Sequence, residues 1–220
     1  MTTARRIVAL AVGALVLLPH GAQADDPLFT DSPNDGIGPV VCLSGSVDTC
    51  STTDPLSEQT LPVPVVEPSI DLLEGRLTTH GNELVLTTTV VDVDAPTTVG
   101  AAHRLYGTRA TVNGLQLDVW HWQPAGGGRP QSSVVVQDLR TFSYGNWDVV
   151  ATVDVGTNTI TWHIPLAALD DARAQACASC PEIGRGTVLT GIQTATSARV
   201  ETSNAPYSSD HAWADRDYTI

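Results

Sequence analysis

Trp120 and Trp122 are the residues of this chain whose type and spacing suggest chemistry most directly. Two apart on an extended segment, their indoles point the same way and stand roughly 7 Å apart, a platform on which a flat sugar ring or another apolar surface can rest. Tyr144 and Trp147 flank Gly145-Asn146, a turn dipeptide, and would extend that platform or close the core. The competing use for the two tryptophans is burial under a helix or a second sheet, since tryptophan is usually well buried.

A second cluster is acidic. Asp25, Asp26, Asp31, Asn34 and Asp35 precede Gly36 and Gly38. Hard cations want several oxygen ligands on a backbone that glycine lets bend sharply, so this opening fits calcium, though not as an EF-hand, because no glutamate stands at the twelfth position. A solvated acidic terminus is the alternative. Four cysteines fall into two local groups, Cys42 with Cys50 and Cys177 with Cys180. In an exported chain they read as two disulfides, and the local pairs are the cheapest of the three connectivities to close. A redox Cys-x-x-Cys belongs at a helix start, whereas Cys177-Ala-Ser-Cys180 follows a helical stretch and precedes Pro181; zinc would need two more ligands.

Covalent catalysis has little support. The sequence holds no GxSxG elbow, no HExxH and no glycine-rich phosphate loop. His80, His103, His121, His163 and His211 are scattered, and nothing singles out two carboxylates for glycoside hydrolysis. A small extracellular hydrolase using aspartate and histidine therefore stands as an alternative to a binding protein, and a structural or interaction domain without a small ligand as a third reading.

The elements that must position these residues begin after a leader. Arg5 and Arg6, an apolar run from Ile7 to Leu18 and the small residues of Ala22-Gln23-Ala24 make residues 1–24 a secretory signal peptide. Its removal would leave 196 residues and take the formal charge from −13 to −15. That charge disfavours nucleic acid and anionic lipid, and no later run is long enough to insert into a membrane. Residues 25–68 read as an acidic, disulfide-containing N-terminal segment ending in a stiff Ser/Thr/Pro connector, and residues 69–220 as the body.

Period-two alternation dominates that body. Around Gly156-Thr157, a II′ turn pairs Val153 with Ile160, Ala151 with Trp162 and Val149 with Ile164, so every apolar residue meets another. Around Asn113-Gly114, a I′ turn pairs Val112 with Leu115, Gly107 with Trp120 and Leu105 with Trp122. Residues 70–78 and 83–93 form a further hairpin of central strands that sets Leu73 and Leu77 on one face and gathers Asp71, Asp92 and Asp94 at one end, where a cation or an arginine is expected. Residues 132–139 and 141–144 supply a further strand or pair, Pro165 to Ala174 the one helix, and Thr187 to Val200 the last long strand.

These residues together resemble a known group. The Asp31-Ser-Pro-Asn-Asp35-Gly-Ile-Gly-Pro39 opening, the Pro68-Ser-Ile-Asp71 strand entry, the passage from Asn158 to Leu169 and the acidic tail ending Asp217-Tyr218 are similar to secreted modules related to family-nine carbohydrate-binding, DOMON-like and glucodextranase-type accessory domains. The resemblance implies an all-β fold, an antiparallel two-sheet β-sandwich of jelly-roll or Ig-like kind with one short helix. It also implies structural calcium, with Asp31 and Asp35 matching the acidic opening and Asp71 the strand entry. The expected function is a secreted, non-catalytic module binding a polysaccharide or an extracellular, cell-surface protein.

Overall fold

A computed structural model describes residues 26–33, 68–96, 103–124, 127–199 and 206–220. The leader, Asp35, Cys42, Cys50 and the Pro-rich connector lie outside them. Two antiparallel sheets pack face to face, with one helix at their side. In chain order the strands are β1 (Phe29–Thr30), β2 (Leu72–His80), β3 (Glu83–Val90), β4 (His103–Val112), β5 (Leu115–Pro124), β6 (Gln131–Asp138), β7 (Ser143–Asp148), β8 (Val150–Asp154) and β9 (Thr159–Pro165). The helix α1 (Leu166–Ala176) follows, then β10 (Val188–Arg199), β11 (Pro206–Trp213) and β12 (Tyr218–Thr219). The smaller sheet runs β1-β2-β3-β9-β8 and the larger β11-β10-β4-β5-β6-β7, with β12 pairing with β10. The fold is the expected all-β, antiparallel two-sheet sandwich with one short helix.

Alternation sets the register of the β8–β9 hairpin. Val153 lies opposite Ile160 and Ala151 opposite Trp162, which is wholly buried. The turn differs from the expected II′ form: the residue with positive φ is Asn158, at 55°, and not Gly156. Asparagine tolerates this conformation, and here its side chain is put to use. Asn158 Nδ2 donates to the Val91 carbonyl at 3.1 Å, and Asn158 Oδ1 accepts from the Val93 N–H at 3.3 Å, so the turn is fastened to the chain leaving β3. The ladder also stops one pair early, at Val150 with His163. Val149 leaves the smaller sheet, and its N–H bonds the Ser132 carbonyl of β6 at 3.2 Å. The chain changes sheets at this residue, which is why Asp148 belongs to β7 and not to the hairpin.

The β2–β3 hairpin forms as expected at its turn, with His80 paired to Glu83 and Gly81 at a φ of 57°. A bulge between Leu72 and Glu74 then shifts the parity. Leu72, opposite Val90, takes the buried position expected for Leu73, which is only half-buried. β3 is central, but among the described residues β2 is covered on its other side by the two-residue β1 alone. Phe29 of β1 sits on Gly75, where any Cβ would collide with its ring, and Leu28 and Phe29 are both buried. The N-terminal segment is thus more than an appendage: it seals one end of the core. In the chain leaving β3, the carbonyls of Val93 and Ala95 accept from the Arg104 guanidinium.

The β4–β5 turn is of type I′, with Asn113 at φ 50° and Gly114 at φ 77°, and every expected pair from Val112–Leu115 to Leu105–Trp122 is present. The helix follows directly on Pro165, its N-cap residue, and the N–H of Leu166 bonds the Asn82 carbonyl at 2.8 Å. Its buried residues Leu166, Leu169, Ala172 and Ala176 follow helical spacing and pack against the edge formed by β6 and β7. Gly145 makes this approach possible, because a Cβ there would overlap the Ala172 carbonyl and crowd Gln175. Gly145-Asn146 is accordingly mid-strand in β7 and not a turn. Past the helix, Cys177 and Cys180 form the expected local disulfide, with 5.4 Å between their Cα atoms. Asn113 Nδ2 reaches the carbonyls of Pro181 and Glu182 at 3.2 Å each, tying this loop to the β4–β5 turn.

Two predictions follow from the packing. Gly145→Ala should destabilise the protein by about 2–3 kcal/mol through overpacking, seen as a lower urea midpoint; an unchanged midpoint would mean that the helix is not seated on β7. Buried His121, whose Nδ1 lies 2.7 Å from the Ser132 hydroxyl, has its pKa pushed down by desolvation. The unfolded chain therefore takes up the proton first, so its contribution to stability is complete above the ordinary imidazole pKa and is lost as pH falls below it. Melting curves across that range should show a steeper acid-side loss for the intact protein than for His121→Gln, and equal slopes would assign the loss to other groups.

Candidate functional site

Because β4, β5, β6 and β10 bury one parity between the sheets, the other parity forms the outer face of the larger sheet. Its rows are read from the ladders. One row carries His211, Ala195, Gly107, Trp120 and Ser133 from β11 to β6; the next carries Trp213, Gln193, Arg109, Asp118 and Val135; and on the opposite side Leu105, Trp122 and Gln131 lie in register. The two smallest side chains, Ala195 and Gly107, sit side by side next to Trp120. They form the floor of a groove of about 730 Å³. Trp120, Trp122, Leu105 and Val135 supply its apolar surface, and Arg109, Asp118, Gln131, Gln193 and His211 its polar groups.

The groove is electrically balanced. Arg109 Nε donates to Asp118 Oδ1 at 2.6 Å, and Gln116 Nε2 donates to Asp118 Oδ2 at 2.6 Å, so the one carboxylate is fixed by two neighbours. Gln193 Nε2 lies 3.4 Å from His211 Nδ1. The ring of His103 stands 5.5 Å from that of Trp122, tilted by 57°, and limits the motion of the indole. Trp120 and Trp122 are each half-buried. Such a surface offers stacking area with several donors and acceptors around it, the combination that a ring bearing hydroxyl groups requires. Among the described residues of the groove, the Asp118 carboxylate is engaged by Arg109 and Gln116, and His211 Nδ1 lies against Gln193.

Comparison with protein-family models, with curated proteins and with solved structures finds no match. The site rests on its own geometry.

The residues singled out from the sequence separate into groups. Trp120 and Trp122 come together in the groove, and among the described residues neither the helix nor the second sheet covers them. Tyr144 shares the outer face but lies outside the groove, on β7, and is 68% exposed. Trp147, opposite Val134, points to the other side of the sheet, because it is three residues from Tyr144 along a strand that has no turn between them. Asp31 and Asp71 lie on adjoining segments, the Asp31 N–H bonding the Leu73 carbonyl at 2.8 Å, and Asp71 is fully buried. Asp31 Oδ1 accepts from the Ser32 N–H at 2.8 Å. Among the described residues no three acidic, histidine or cysteine side chains converge. Asp35, the third expected ligand, lies outside the described residues.

The sequence reading missed His211, Gln193 and Trp213, all contributed by the pairing of β10 with β11. Nothing in the 203–217 stretch alternates in polarity strongly enough to mark a strand. The available signal was a weaker one: His211 and Trp213 share parity, with the small Ala212 between them.

Proposed function

We propose that this protein binds a neutral polysaccharide on the outer face of its larger sheet, without acting on it chemically. The observation that carries this reading is the placement of Trp120 and Trp122 beside a floor of Gly107 and Ala195. With glycine on β4 and alanine on β10 as its successive neighbours, Trp120 borders a slot two strands wide, so a flat ring can lie against the indole while Gln131, Gln193, Arg109 and Asp118 meet its hydroxyls. Stacking of this kind contributes about 0.5–1.5 kcal/mol beyond area burial for an aromatic pair, and one strand further brings hydrogen-bonding groups within reach. A formal charge of −13 disfavours acidic polymers at long range, and the Arg109–Asp118 pair leaves no net charge in the groove to attract them.

An extracellular protein partner is the second reading, and a specific feature favours it. At the β6–β7 turn Phe142 is 78% exposed and holds a φ of 58°, a backbone region costly for a bulky residue, while Leu139 beside it is also exposed. Asp138 braces this tip by accepting from the Arg140 N–H and its guanidinium Nε, both at 3.0 Å. Strain of this kind at a rigid, apolar tip is a mark of a contact site.

The polysaccharide reading predicts that Trp120→Ala lowers retention on insoluble cellulose, xylan, chitin or β-1,3-glucan, whichever retains the intact protein, by about tenfold, matching roughly 1.4 kcal/mol. Retention by none of these polymers, or equal retention of the variant, would overturn it. For the tip, Phe142→Asn should leave the melting temperature unchanged or raise it, since asparagine accepts positive φ more readily. A clear drop in melting temperature would show that the exposed phenyl ring supports the fold.

A further inference from the structure

We propose that the groove continues to a second aromatic platform at Trp213, and that its ligand is a polymer lying across the strands, bound along its length and not by its end. The inference rests on the polysaccharide reading above and extends it. The floor made by Gly107 on β4 and Ala195 on β10 carries on toward His211 on β11, which lines the groove. Trp213, two residues further along β11 and of the same parity, stands opposite Gln193 and is 64% exposed. It lies three strands and one alternate position from Trp120, roughly 16 Å at the usual strand spacing and rise. A single ring against Trp120 cannot reach it, whereas a chain of several sugar units can.

The direction is set by side-chain size. Along β5 the neighbours of Trp120 are Trp122 on one side and the Arg109–Asp118 pair on the other, both of which stand up from the sheet. Across the strands the neighbours are glycine on β4 and alanine on β10, so the low path runs from β5 across β4 and β10 to the exposed His211 on β11. Among the described residues β11 has no strand beyond it, and the path leaves the sheet at that edge with Trp213 beside it. A ligand longer than the groove turns beside the His211 ring toward Trp213, and among the described residues no further strand closes that edge.

The test uses soluble cello-, xylo-, chito- and laminari-oligosaccharides from dimer to hexamer, titrated calorimetrically into the intact protein, Trp213→Ala, Trp213→Tyr and Trp120→Ala. For the series that binds, affinity should keep rising beyond the trimer. Trp213→Ala should remove about tenfold of the hexamer affinity and leave the trimer unchanged, while Trp213→Tyr, which retains a ring, should recover most of the loss. Trp120→Ala should weaken every length. An affinity that levels off at the trimer, or a hexamer affinity indifferent to Trp213→Ala, overturns the extension while a loss with Trp120→Ala upholds the groove. Binding that is also indifferent to Trp120→Ala, or absent for every series, overturns the polysaccharide reading and the extension together.

Discussion

Trp162 sets the distance between the two sheets. It is wholly buried on β9, lies opposite Leu86 on β3 and Ala151 on β8, and meets the His121 ring of the larger sheet edge-on at 6.4 Å. The largest side chain thus stands where its neighbour on one side is a methyl group, the pairing of large with small that close packing of an interior favours. Ile160 and Ile164 extend the same face, and Val134, Val136, Leu117 and Val119 answer from across the core. Each of those residues is inward only because its strand keeps strict parity, so the core and the outer surface are two halves of one pattern.

The groove is a consequence of that pattern. Burying Val119 and His121 obliges Trp120 and Trp122 to face outward, and burying Thr108 and Tyr106 obliges Gly107 and Leu105 to do the same. Two buried polar residues of β4 are tied internally: Tyr106 donates its hydroxyl hydrogen to the Ser69 carbonyl at 2.9 Å, and the hydroxyls of Thr108 and Thr194 lie 2.9 Å apart. Asp210 of β11 accepts from the backbone N–H of Leu72 at 2.7 Å, and its other oxygen accepts from the N–H of His211 at the same distance. That carboxylate links the edge strand of one sheet to the first long strand of the other, and it holds the backbone that presents His211 and Trp213.

Much of this was legible in the amino-acid order. Asn113-Gly114 determines a turn, the turn determines the register, and the register brings Gly107 beside Trp120 with no tertiary information at all. The β8–β9 pairing was legible for the same reason. What was not legible came from tertiary effects. The bulge before Glu74 exchanges Leu72 for Leu73, two residues that a pattern cannot tell apart. The transfer of Val149 from one sheet to the other occurs inside an unbroken alternation, since both sheets want the same parity. Gly145-Asn146 has turn composition, but its glycine serves the close approach of the helix. β11 was hidden because its inward residue at position 210 is a charged aspartate, held by backbone donors that no sequence pattern reveals.

One edge of the smaller sheet carries a last implication. β8 has no strand beyond it among the described residues, and Val150 stands exposed on it. Such a border is a template onto which another copy can add a strand, the starting step of fibrous aggregation. Asp148 and Asp154 bracket the five-residue strand. Negative charge at both ends of so short a border makes the approach of an identical border repulsive, so the acidity of this chain acts there as a guard on solubility.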